Sequence, residues 1–94
     1  MQPSIQDSLA DAPGAIPLPR ADSTGEELLA MGIAFSTGQG GAPLDYVSAH
    51  MMFNLAAMRG SEEAKRWRRE LSAEMDRDSV ADAQRAARQW LTAA

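Results

Sequence analysis

The chain has 94 residues, with 13 acids against nine bases, one histidine and no cysteine. That length allows one small domain with a modest core. The lack of cysteine excludes a disulfide framework and a thiolate metal site, and a net charge of −4 argues against non-specific nucleic-acid binding, which needs positive potential.

The charge is unevenly placed. Residues 1–42 hold five acids against Arg20 alone, whereas residues 43–94 hold eight acids and eight bases. The opening stretch, MQPSIQDSLADAPGAIPLPRA, carries Asp7 and Asp11 where a signal peptide would carry bases. Pro3, Pro13, Pro17 and Pro19 prevent a long helix there. Residues 1–21 therefore read as a flexible proline-rich arm whose apolar residues, Ile5, Leu9, Ile16 and Leu18, are free to dock elsewhere. No later stretch reaches the ~18 apolar residues of a membrane span. The expectation is a cytoplasmic protein with no membrane insertion, whose residues 22–94 form one helical domain.

Ser23 with Glu26, or Thr24 with Glu27, makes a capping box, so the first helix is expected from about Glu26 to Thr37. Leu28, Gly32 and Phe35 share one face, and Leu29 and Ile33 share an adjacent one. The Gly38-Gln39-Gly40-Gly41 run has neither the preceding strand of a dinucleotide fingerprint nor a Walker ending, so it reads as a tight helix-to-helix turn. Pro43 suits the first turn of a second helix, with Asp45 favouring the positive end of its dipole. Tyr46, Ala49, Met52, Phe53, Ala56 and Ala57 give that helix a buried stripe, and Arg59-Gly60 stops it.

Ser61 caps a third helix with Glu62 and Glu63 in its first turn. Ala64, Trp67, Leu71 and Met75 form its apolar face. Lys65, Arg66, Arg68 and Arg69 read as a solvated face, with Glu62–Arg66 and Arg66–Glu70 at i, i+4 spacing. Asp76 caps a fourth helix, whose Val80, Ala83, Ala87, Trp90 and Leu91 turn inward while Asp82 and Arg85 pair at i, i+3.

Met31-Gly32-x-x-Phe35-x-x-Gly38-x-Gly40, then Asp45-Tyr46, Ala49, Phe53, Ala56-Ala57, Gly60 and Ala64, resemble a Sel-one-like repeat, a relative of the tetratricopeptide repeats. The resemblance covers about residues 26–71, one full repeat and the first helix of a second. It departs from the family at Met31, at Met52 and in the extra residue of Gly41-Ala42. It implies an all-α fold, a short α/α solenoid of about four antiparallel helices. It also implies an adaptor role in protein–protein interaction, with no catalytic residues and no cofactor.

The residues themselves offer little chemistry. Ser and Thr are scattered, no nucleophile–base pair stands out, and His50 alone cannot make a metal site. The acid pairs Glu26-Glu27 and Glu62-Glu63 are accounted for by helix capping. The function expected is a non-catalytic binding module or assembly factor, the alternative being a small structural subunit or homo-oligomer. The partner is expected to be a protein or peptide, or a second copy docked through the first helix. Leu29 and Ile33 form the first candidate surface, and a groove beside Tyr46 and His50 the second.

Overall fold

A computed structural model describes residues 19–93. The expectations for Ile5, Leu9, Ile16 and Leu18 lie outside the described residues. Four α-helices are present among those described: α1 (Gly25–Thr37), α2 (Tyr46–Met58), α3 (Glu62–Glu74) and α4 (Arg77–Ala93). A short 3-10 turn over Gln39–Gly41 follows α1.

Of the two boxes open to α1, Thr24 and Glu27 form the one that is built. The Glu27 N–H donates to Thr24 Oγ1 at 3.0 Å, and the Thr24 N–H donates to Glu27 Oε1 at 3.1 Å. Ser23 is instead buried in a turn, where its hydroxyl accepts from the Arg20 N–H at 2.8 Å. Arg59 holds this lead-in from the far end of α2. Its guanidinium donates to the carbonyls of Ser23 and Ala21, each at 2.8 Å.

The second helix begins later than Pro43 suggests. Asp45 is its N-cap, accepting from the Ser48 N–H at 3.1 Å and from the Ser48 hydroxyl at 2.7 Å. The Asp45 N–H donates back to the Phe35 carbonyl at 3.0 Å, which holds Asp45 extended and delays the first helical turn. At its other end α2 stops in a Schellman motif. Gly60 N–H donates to the Ala57 carbonyl at 3.1 Å and Ser61 N–H to the Ala56 carbonyl at 3.0 Å, with Gly60 at φ 95°.

Ser61 caps α3, accepting from the Ala64 N–H at 3.1 Å. Asp76 caps α4, accepting from the Ser79 N–H at 2.7 Å. That backbone bond, with help from the Ser79 hydroxyl, holds the Asp76 carboxyl below its ordinary pKa. Asp82 and Arg85 pair at 2.8 Å as their spacing requires. Glu62, however, pairs with Lys65 at 3.1 Å rather than with Arg66.

α2 is the hub. It packs against α1, α3 and α4, while α3 and α4 make little backbone contact with each other. α1 and α2 run antiparallel: a Cβ at Gly25 would stand 3.0 Å from the Arg59 carbonyl oxygen, and Gly32 meets Phe53 midway. α2 and α3 also run antiparallel, since His50 bonds to Ser72 and Asn54 to Arg68. Phe53, Leu28, Leu55, Ala49, Ala56 and Ala64 are fully enclosed, so much of the core is alanine, which lets backbones approach closely. α4 contributes buried Ala83 and Ala87 with half-buried Val80 and Trp90. Leu91, in its last turn, is exposed instead of inward. Because α4 lies on α2 and not closely on α3, the second half of the chain does not repeat the tight α1–α2 hairpin.

Candidate functional site

Two grooves flank α3, one on each side, and they differ in character.

The first is a cleft between the end of α1 and the side of α3. Ser36 and Thr37 form one wall, Tyr46 from the first turn of α2 closes one end, and Trp67, Glu70, Leu71 and Glu74 form the α3 wall. Trp67 reaches this position because it falls three residues after Ala64 and four before Leu71, both buried. Its ring stacks on Phe53 with centroids 5.8 Å apart and planes 25° from parallel. Its Nε1–H donates to Glu63 Oε1 at 3.3 Å. One ring face is thus packed on the core, while the ring also lines the cleft. Glu70 and Glu74 stand one turn apart on the rim, both exposed. Neither belongs to an ion pair among the described residues, where the pairs are Arg20–Asp22, Lys65–Glu62 and Arg85–Asp82.

The second groove lies between α3 and α4 and has a polar floor. His50 is 1% exposed, yet both ring nitrogens are bonded. The arrangement of donors follows from Arg68, which can only donate. Arg68 Nη1 donates to Asn54 Oδ1 at 2.8 Å, so the Asn54 amide nitrogen faces His50 Nδ1 at 3.1 Å and donates to it. His50 Nδ1 is then an acceptor, the proton sits on Nε2, and Nε2–H donates to Ser72 Oγ at 2.8 Å. The imidazole is neutral in this chain of bonds. Burial, and then the Arg68 charge, hold its pKa below the ordinary 6.5, against a smaller upward pull from a backbone hydrogen bond. No buried side-chain polar atom among the described residues lacks a partner.

Tyr46 and His50 therefore do not share a groove. Tyr46 opens into the α1–α3 cleft, whereas His50 faces α3 and α4 on the other side. Four residues apart on α2, they are separated by α3 docking between them. Leu29 and Ile33 are half-buried and lie against the core, with Leu29 also beside a shallow depression near Gly25, Arg59 and Glu62. Among the described residues, the large apolar ones that stand most exposed are Leu44 and Met58. Arg68 does not belong to the solvated face that its neighbours suggested. It falls four residues after Ala64, on the buried stripe, and this spacing was the available signal for its inward course.

Among the described residues, no group of three or more His, Asp or Glu is placed to hold a metal ion, and no helix is long and apolar enough to cross a membrane. Compared with known proteins, the chain matches no family model, no curated protein and no solved structure.

Proposed function

We propose that the chain is a non-catalytic protein–protein interaction module built on a Sel-one-like repeat, and that the α1–α3 cleft receives the partner. The observation that carries this reading is the cleft itself: Tyr46, Trp67 and Leu71 offer an apolar bed, and Glu70 and Glu74 form an acidic rim that has no ion-pair partner among the described residues. Its complement is a peptide segment with an apolar side chain next to lysine or arginine. In a solenoid the α1–α2 hairpin would be one repeat and α3 the opening of the next, so the cleft would lie between equivalent helices of successive units. The Gly32–Phe53 contact and the Gly60 stop support this reading, since both are uses of small residues that the repeat motif requires. A purely binding role is further supported by His50, whose two nitrogens are both committed to internal bonds and leave no free base beside a hydroxyl.

The test is quantitative capture from the source cell with wild type and a Tyr46→Ala/Glu74→Lys variant of unchanged helicity. The proposal expects specific partners of the wild type to be lost from the variant. An identical partner set would place the interaction surface elsewhere.

A further inference from the structure

We propose that the groove between α3 and α4 binds a carboxylate-bearing peptide segment through Arg68, Arg69 and Lys65. This inference does not rest on the α1–α3 cleft.

The three cations stand on the α3 wall, and no acid among the described residues lines the groove. Glu62 partly offsets Lys65 at the mouth, at 3.1 Å, and no ion pair among the described residues involves Arg68 or Arg69. The floor is fixed in advance. Arg68 spends one nitrogen on Asn54 Oδ1, which holds its guanidinium half-buried and leaves other N–H groups of the fork available. Ser72 accepts from His50 Nε2–H, so its own hydroxyl proton is left to donate. Gln84 brings an amide donor from the α4 wall. Guanidinium, hydroxyl and amide donors around one groove match a planar carboxylate, and a guanidinium already held in place loses little freedom on binding.

The occupant is a short acidic segment rather than an extended polyanion. The chain as a whole carries a net charge of −4, so a long phosphate backbone would meet repulsion beyond the groove. A few glutamate or aspartate side chains need only the local positive potential.

His50 supplies a reporter at the floor. α3 turns Lys65, Arg68 and Arg69 toward the groove, and α4 turns only Val80 and Gln84, neither of which titrates. A carboxylate bound there offsets the repulsion that Arg68 exerts on the imidazolium, so binding shifts the His50 titration upward.

The experiment is an NMR titration of the full chain with acetylated tetraglutamate amide at constant ionic strength. It follows the Arg68 and Arg69 Nε–H signals and the His50 ring. The expected result is saturable shifts at these groups, a His50 titration midpoint that moves up, and affinity weakened roughly tenfold by Arg69→Glu. Arg69 is exposed, so that variant should fold as wild type, and Arg69→Gln, which removes the charge without reversing it, should weaken binding by less. Inorganic phosphate should bind more weakly than the peptide. Non-saturating shifts, equal affinity in Arg69→Glu, or phosphate binding as tightly as the peptide would overturn the proposal.

Discussion

Gly32 faces the ring of Phe53 so closely that a Cβ at position 32 would overlap the Phe53 Cε1 and Cδ1 atoms. Phe53 is fully buried and stacked on Trp67, so its ring has no room to withdraw. This contact sets the distance between α1 and α2, and through Phe53 it bears on α3.

Gly32→Ala therefore tests the close approach of the first two helices. A glycine-to-alanine change in a helix interior ordinarily gains about 1 kcal/mol. Here the overlap should outweigh that gain and leave a net loss of about 2 kcal/mol. Phe53→Leu should partly rescue Gly32→Ala in a double-mutant cycle, because the smaller side chain frees the space. Denaturant unfolding of the four proteins is the measurement, and additive losses would contradict the contact.

Gly60 tests the stop of α2. At φ 95° it lies where L side chains are strained, and its N–H closes the Schellman motif. Gly60→Ala should cost about 1 kcal/mol, and Gly60→Val more. Nothing stands within 4 Å of a Cβ built there, so any loss is conformational and not steric. Thermal melts that match wild type for both variants would remove the motif from the account.

Trp67 joins core and cleft. A fully buried tryptophan changed to alanine costs about 3–5 kcal/mol, and half-exposure should bring Trp67→Ala nearer 2–3. Trp67→Phe should keep the stack on Phe53 and lose far less. Chemical denaturation of both variants separates a stacking role from a merely exposed ring, which would make the two variants alike.

His50 predicts a pH dependence. Its folded pKa lies below 6.5, so between those two values the unfolded chain binds more protons than the folded one. The stability it contributes is fully present above pH 6.5 and falls as pH drops toward the folded pKa. Protonation of Nδ1 also removes the acceptor of the Asn54 amide and breaks the chain from Arg68 to Ser72. Unfolding free energies at several pH values should show this loss in wild type and not in His50→Gln. Parallel profiles for the two proteins would contradict it.

The ends of the helices were legible in the sequence because capping acts over three or four residues. Thr24 with Glu27, Ser61, Asp76 and Gly60 each declare a boundary through local hydrogen bonding. The start of α2 falls a few residues later than Pro43 suggests because Asp45 is held by a backbone bond to Phe35, a contact made through the fold. Neighbour choice was not legible. The apolar stripe of α4 identifies Ala83 and Ala87 as buried but cannot say that they lie on α2 rather than α3. Arg68 was hidden within a charge run, and its partners Asn54 and His50 are on another helix. The candidate pair Tyr46 and His50 was right to place on one helix and wrong to place in one groove, since which side α3 covers is decided by packing.

The most direct test of the interaction role is a titration that follows Trp67 emission in a Trp90→Phe background. The titrant is a short peptide of alternating leucine and lysine, with leucine and serine as its control. The account predicts a saturable change with the basic peptide, abolished by Glu70→Lys/Glu74→Lys in a protein of unchanged helicity. No saturable change, or an equal response to the uncharged control, would contradict it.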